Sequence, residues 1–115
     1  MTKMRKQPDP STSTRRALTA TEIVSALARL DNWTLSGEGS ATAIEKHFEF
    51  SNYYETMAFV NAVAFASHGS DHHPDLLVSY KRCVVRFNTH DVGGITGTDV
   101  ACAAAVDALL PCESS

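Results

Sequence analysis

The sequence predicts an α+β domain in which amphipathic helices cover one face of an antiparallel sheet. Segments with helical periodicity alternate with pairs of strand-like segments in the order α-β-β-α-β-β-α. A short turn separates the two strands of each pair, which is how antiparallel neighbours are joined. Strand pairs combined with helices in this way are typical of α+β architecture. The other face of such a sheet is either solvated or paired with another subunit.

Composition limits the chain to one domain and excludes several classes of function. The 115 residues are 43% hydrophobic, which is too high for a disordered chain. No apolar run approaches the roughly 20 residues of a membrane span, so no membrane partner is expected. Three cysteines without a Cys-x-x-Cys pair favour a reducing compartment, and we expect a cytoplasmic protein.

Charge divides the chain near residue 16. Residues 1–16 carry a net charge of +4 and many Pro, Ser and Thr residues, which predicts a disordered basic tail. Residues 17–115, the predicted single domain, carry a net charge of −7. An acidic domain is a poor partner for a polyanion, so no nucleic acid is expected to bind it.

The first helix is predicted to begin at Thr19. Thr19 and Glu22 match a capping box, and apolar residues recur at helical spacing as far as Leu30. A short strand, Trp33 to Leu35, follows and leads into a glycine-rich turn.

The second strand, Thr42 to Phe50, alternates between apolar and polar residues. This pattern predicts one core face and one solvated face. The apolar side chains are Ile44, Phe48 and Phe50, and the polar ones are Glu45, His47 and Glu49.

The second helix is predicted to start from a cap at Ser51 or Asn52 and to stop at Gly69 in a left-handed conformation. Its apolar surface is wider than one face needs, which suggests a subunit contact as well as a core contact. Tyr53, Met57, Val60 and Ala64 form its stripe, with Phe59 and Val63 beside them.

The last three elements are predicted to be a β-hairpin and a helix. The hairpin strands run from Leu76 to Tyr80 and from Cys83 to Thr89, with the turn at Lys81-Arg82. After Gly93-Gly94, a helix capped by Thr96 and Asp99 is expected to reach about Leu110.

The sharpest chemical feature is the segment Asp71-His72-His73-Pro74. Pro74 restricts His73 to extended backbone, where adjacent side chains diverge, so one imidazole can act on a ligand while the other binds it. Histidine titrates near neutrality, which suits general acid–base work. A second segment, Thr89-His90-Asp91, follows the last strand. If the two strands form a hairpin, both segments meet at one edge of the sheet, which predicts a site there.

Other interpretations compete with this one. The histidine pair could simply be exposed. His68 and His72 are four residues apart, as metal ligands on a helix are, but Gly69 is expected to end the helix between them. The glutamate of His-Glu-x-x-His motifs is also missing, so no metal is predicted. Trp33 fits two roles equally well, a core plug or an apolar wall for a flat ring.

The histidine segments belong to a longer pattern, His68-x3-His72-His73-Pro74-x5-Tyr80-x9-His90-x8-Asp99, and the pair Asn32-Trp33 follows the first helix. On this pattern and this pair, the sequence from about Leu18 to Leu110 resembles the pterin-4a-carbinolamine dehydratase family.

The resemblance implies a four-stranded antiparallel sheet with three helices on one side, and a dehydratase without a cofactor. The substrate would be 4a-hydroxytetrahydropterin, and the products would be quinonoid dihydropterin and water. His72 and His90 would form the acid–base pair, and His73 would mainly bind and orient the pterin. The residues implied around the substrate are Trp33, His68, Asp71, Pro74, Thr89, Asp91 and Asp99, of which Asp99 could fix an imidazole.

The resemblance also bears on assembly and on an alternative function. Members of the family tend to form symmetric dimers and tetramers, so a homodimer or homotetramer is expected. Many relatives carry an acidic residue where this chain has His68. Some act as coactivator-like binding proteins, so a non-catalytic pterin-binding or protein-interaction module is the alternative function.

Overall fold

The computed structural model describes residues 16–110 and confirms the predicted order of elements. The predicted basic tail lies outside the described residues, except for Arg16. Within residues 16–110, no helix is long and apolar enough to cross a membrane. The helices are α1 (Ala20–Ala28), α2 (Tyr53–Ser70) and α3 (Gly97–Asp107), and the strands are β1 (Thr34–Ser36), β2 (Ala43–Glu49), β3 (Asp75–Val78) and β4 (Arg82–Phe87).

The four strands form one antiparallel sheet in the order β1-β2-β4-β3. The central pair aligns Ile44 with Phe87 and Phe48 with Cys83. Because side chains alternate along a strand, these four lie on the same face of the sheet, and all of them are buried. All three helices pack on this face. They contribute Ile23 and Leu27 from α1, Phe59 and Val63 from α2, and Cys102, Ala103 and Val106 from α3.

The opposite face of the sheet is polar along β2, as its alternation predicts, and apolar where Val84 and Leu77 align with His47. Glu45 pairs with Arg86 across the strands, with Nε 3.0 Å from Oε1, and Ser36 donates a hydrogen bond to Glu45. His47 lies 3.4 Å from the second oxygen of Glu45. Burial alone would raise the pKa of Glu45, but these hydrogen bonds and the charge of Arg86 together lower it.

The predicted helix starts are confirmed by their capping bonds. The Thr19 hydroxyl accepts from the Glu22 N–H at 3.1 Å, and the Glu22 carboxylate accepts from the Thr19 N–H at 2.9 Å. Arg16 pairs with the same carboxylate at 2.7 Å, and its hydrogen bond is the main reason why the pKa of Glu22 falls to about 2. At α2, the Asn52 side chain accepts from the Glu55 N–H.

The predicted end of α2 is wrong by two residues. The helix continues through Gly69 to Ser70, and the left-handed residue is Asp71, with φ of 55°. Aspartate is among the few side chains that adopt this conformation at modest cost, so a glycine is not required there.

The buried face of α2 also differs from the predicted stripe. Its buried residues are Thr56, Phe59, Val63 and Ser67, whereas Tyr53 is half exposed. Thr56 can be buried because its hydroxyl reaches the carbonyls of Asn52 and Tyr80, each at 3.1 Å. Phe59 and Val63, predicted beside the stripe, are buried and Val60 packs against the core, so the apolar stripe is displaced from the buried face rather than opposite to it.

Two boundaries shift by smaller amounts. The hairpin turn has Tyr80 and Lys81 at its centre, because the Ser79 N–H donates to the Arg82 carbonyl at 2.7 Å; the prediction placed it one residue later. Helix α3 ends at Asp107, before the predicted Leu110.

Candidate active site

A cavity of about 270 Å³ lies where the segment between α2 and β3 meets the segment after β4. Asp75 aligns with Arg86 in the antiparallel register, so the residues before β3 lie beside those after β4. This confirms the predicted meeting of the two histidine segments. The lining residues are Asp71, His72, His73, Asn88, Thr89, His90 and Asp91.

The left-handed turn at Asp71 gives the two adjacent histidines different environments. The chain reverses there at the end of α2. His72 then turns inward, with 13% of its side chain exposed, while His73 stays exposed. The predicted divergence of the two imidazoles is therefore confirmed.

His72 is held both at its edge and on its face. Its Nε2 lies 2.6 Å from Oδ1 of Asp99. Its ring stacks on Phe87, with centroids 5.9 Å apart and planes 10° apart. Phe87 is itself fully buried in the core. The imidazole is thus fixed by one hydrogen bond and one aromatic contact.

Asp99 is completely buried at the start of α3 and has several donors. Its Oδ2 accepts from the Thr89 hydroxyl at 2.7 Å and from the Thr96 N–H at 2.9 Å. With a hydroxyl and an N–H both donating to it, Oδ2 acts as an acceptor, as the oxygens of an ionised carboxylate do. The Nε2 of His72 must then be the donor to Oδ1, which leaves Nδ1 as the nitrogen available to a ligand.

His90 lies on a short closed loop. The loop is a 3₁₀ turn, His90–Val92, whose base is closed by the Thr89 N–H donating to the Gly94 carbonyl at 2.9 Å. Gly93 ends the turn with φ of 67°, a conformation that favours glycine. The loop holds an exposed imidazole at the rim of the cavity, above the buried Thr89.

Three of the residues that sequence reasoning placed at the site are not brought to the cavity. His68 is exposed in the last turn of α2, and Pro74 follows His73 without lining the cavity. Trp33 is 3% exposed and packs against Phe48 and Phe87. Its Nε1 donates to Asp107 at 3.0 Å, so of its two interpretations the core plug describes its position.

Asn88 is a lining residue that the sequence analysis missed. Its amide nitrogen donates to the carbonyls of Ser40 and Thr42. Its position directly before Thr89-His90-Asp91 was the only signal for it. Asp99 reaches the cavity through His72 rather than by lining it.

Potential metal ligands and thiols are the other side chains with chemistry of their own. In residues 16–110, no group of three or more His, Cys, Asp or Glu is placed so that it could hold a metal ion. Cys83 and Cys102 are buried free thiols, and burial raises the pKa of both. A raised pKa disfavours the thiolate that a nucleophile needs.

Comparison with known proteins gives consistent results. Residues 16–109 match the family model described as "Pterin 4 alpha carbinolamine dehydratase". A Paracidovorax citrulli protein named "Putative pterin-4-alpha-carbinolamine dehydratase" is 64% identical over 102 residues, which cover 89% of this chain and 88% of that protein.

Two solved structures share the fold. A Brucella melitensis protein described as a "transcriptional coactivator/pterin dehydratase" is 29% identical, with a TM-score of 0.77, over 84% of this chain and 100% of the other. A "pterin dehydratase-like protein", described as a RuBisCO assembly factor in the alpha-carboxysome, is 26% identical, with a TM-score of 0.59, over 69% and 89%.

Proposed function

Because the chain belongs to the pterin 4 alpha carbinolamine dehydratase family, we propose that it converts 4a-hydroxytetrahydropterin into quinonoid dihydropterin and water. The single observation that carries this proposal is that the buried Asp99 holds His72, which lines a cavity together with His73 and His90. Such an arrangement supplies oriented acid–base groups, which is the chemistry that the dehydration requires.

The reaction needs two proton transfers. The C–O bond at the 4a carbon breaks, its electron pair leaves with the oxygen, and the oxygen takes a proton and departs as water. The N–H of the adjacent ring nitrogen loses its proton to a base, and the C=N bond forms. Neither step needs a redox cofactor or a covalent nucleophile, so we propose that the protein works without a cofactor.

The two proton transfers are assigned to His72 and His90, which line the cavity from different segments of the chain. His72 is the better oriented, because Asp99 and Phe87 fix its ring, and we assign it and His90 as the acid–base pair. His73 binds and orients the pterin from its exposed position beside them. Asp71 and Asp91 flank the cavity and are placed to accept from ring N–H or amino groups of the substrate.

A second candidate function follows from the structural relatives. One is described as a coactivator as well as a dehydratase, and another as an assembly factor. A module that binds a pterin or a protein without turnover would use the same fold. Turnover separates it from the enzyme, and pterin binding separates a pterin module from a pure interaction protein.

The test is dehydration of freshly generated 4a-hydroxytetrahydropterin, followed by ultraviolet absorbance with EDTA present. We expect acceleration over the uncatalysed rate, and its loss by a factor of roughly 10² or more in His72→Gln and His90→Gln. His47→Gln is the matched control, because His47 is an exposed histidine on the opposite face of the sheet. A folded wild-type protein that gives no acceleration would contradict the proposal.

We also propose that the chain acts as a homodimer or homotetramer in the cytoplasm. Tyr54 and Phe65 are 88% and 81% exposed on α2, which is unusual for large aromatic side chains. They lie eleven residues apart, three helical turns, and so share a face. A second copy of this helix would bury them symmetrically.

A further inference from the structure

We propose that Thr96 is a positioning residue for His72, acting through a chain of two hydroxyl groups that ends on Asp99. The inference deepens the proposed dehydration, because it names what holds the acid–base histidine in one protonation pattern. Thr96 forms a capping box with Asp99 at the start of α3, and that role does not need the contact between its hydroxyl and Thr89.

The direction of the hydrogen bonds between these hydroxyl groups follows from counting their protons. The Thr89 Oγ1 lies 2.7 Å from Oδ2 of Asp99 and 2.9 Å from Oγ1 of Thr96. Each hydroxyl has one proton, and the short bond to an ionised carboxylate takes the proton of Thr89. The one proton of the Thr96 hydroxyl then has two acceptors, Oγ1 of Thr89 at 2.9 Å and Oδ2 of Asp99 at 3.3 Å, and the shorter contact favours donation to Thr89.

The linked hydroxyl groups and the carboxylate of Asp99 are shielded from solvent. Thr89 is 2% exposed, and Thr96 and Asp99 are completely buried. Without one hydroxyl, the remaining polar groups would lose a partner that solvent cannot replace. Successive bonds of this kind also polarise one another, so the bond from Thr89 to Asp99 is strengthened by Thr96.

The consequence at His72 is a fixed tautomer. With Oδ2 occupied by the threonines and the backbone, Oδ1 faces the Nε2 of His72 at 2.6 Å. A neutral imidazole carries one N–H, and the carboxylate requires it on Nε2. The Nδ1 atom then keeps its lone pair for the proton of the substrate. Without the Thr96 hydroxyl, Thr89 loses its own donor and Oδ2 loses its 3.3 Å contact, which loosens the carboxylate and allows the other tautomer.

The experiment measures this tautomer directly in the full chain. Long-range ¹H–¹⁵N correlation spectra of the ¹⁵N-labelled protein, at about pH 8.5 where an ordinary histidine is neutral, report which nitrogen of His72 is protonated. We expect Nε2–H in the wild type and a mixture in Thr96→Val. We also expect kcat for dehydration to fall roughly tenfold, the order of one hydrogen bond to a charged group, with little change in KM.

The controls separate positioning from stability. Thr96→Ser keeps the hydroxyl and should restore both the spectrum and kcat. Thr56→Val removes another completely buried threonine hydroxyl, one bonded only to the carbonyls of Asn52 and Tyr80. It should lower the free energy of unfolding without changing His72 or kcat. Thr89→Val tests the same chain if Thr96→Val does not fold.

Each outcome decides the inference. A wild-type His72 protonated on Nδ1, or a folded Thr96→Val protein with unchanged tautomer and kcat, overturns it without touching the proposed function. A tautomer that changes in Thr96→Val, in a protein that shows no dehydration, supports the positioning role and rejects the proposed function instead.

Discussion

The Nε2 of His72 lies 2.6 Å from Oδ1 of Asp99, although the two residues are 27 positions apart in the sequence. The contact joins the loop after α2 to the first turn of α3, and it lies between a cavity and the core. An exposed imidazole could rotate freely, whereas this one cannot.

Asp99→Asn should lower kcat for dehydration about 100-fold and the free energy of unfolding by about 1–3 kcal/mol. An amide has one accepting oxygen and one NH₂ group. Whichever way it turns, its NH₂ faces either the Nε2 of His72 or the donors from Thr89 and Thr96. Stopped-flow absorbance and urea unfolding measure the two effects.

Asp107→Asn is the matched control for that variant. Asp107 is a partly buried carboxylate bonded to Trp33 and Lys46, and it does not line the cavity. The Asp107→Asn protein should be less stable than the wild type and have the same kcat. Turnover of Asp99→Asn within twofold of the wild type would rule out a role for the carboxylate in the reaction.

His68→Glu should keep or raise activity near neutral pH, because this side chain does not line the cavity. The residue is exposed in the last turn of α2, where a negative charge meets the negative end of the helix dipole. We therefore expect stability to fall by up to about 1 kcal/mol while turnover is maintained. Steady-state rates and thermal unfolding of His68→Glu and His68→Gln test this. A large loss of turnover with the fold intact would show that His68 has a role of its own.

Phe65→Glu should reduce the oligomeric state measured by sedimentation equilibrium. Phe65 is 81% exposed on α2, and burying a charge against a second copy is costly. Val24→Glu changes an apolar residue on α1 that is 65% exposed, and it should leave the mass unchanged. If Phe65→Glu keeps the wild-type mass, the face that carries Tyr54 and Phe65 is not the subunit contact.

Glu22→Gln should change the pH dependence of the free energy of unfolding. The pKa of Glu22 is lowered to about 2 in the folded protein by the hydrogen bond from Arg16 and by the capping bond from Thr19. A group with a lowered pKa stabilises the fold above its unfolded pKa, and this contribution disappears as the pH falls toward the folded value. The gap in stability between wild type and Glu22→Gln should therefore be full at neutral pH and close between about pH 4.5 and 2.

The control is Glu38→Gln, which changes an exposed glutamate just before the 3₁₀ turn Gly39–Ala41. Urea unfolding across this pH range should show no comparable gap for it. A constant gap for Glu22→Gln at every pH would mean that the Arg16 pairing contributes nothing to folding.

The local features of the fold were predictable from the sequence, and the long-range ones were only partly so. The caps at Thr19 and Asn52 depend on residues three positions away, so short spacing reveals them. The meeting of the His72 and His90 segments followed from one assumption, that β3 and β4 are paired. The burial of Thr56 could not be seen, because the carbonyl of Tyr80, one of its acceptors, comes from a distant turn.

The candidate site shows the same division. The histidines were identified by residue type, since few side chains titrate near neutrality. Thr96 was identified only as a cap, because its bond to Thr89 requires the chain to return on itself. The sequence left two equal interpretations of Trp33. Its position in the core depends on a hydrogen bond to Asp107 on α3, which no local sequence pattern reveals.

The closed base of the His90 loop sets a limit on its length. Thr89 and Gly94 are bonded to each other, and Thr89 and Thr96 both bind Asp99, so the two ends of the segment are fixed in space. Substitutions at Val92 alter a side chain and leave the backbone path intact. Because both ends of the loop are fixed, inserting or deleting a residue between Thr89 and Gly94 changes the path of the backbone and displaces His90 from the cavity. In this loop the number of residues is therefore a stricter requirement than the identity of most of them.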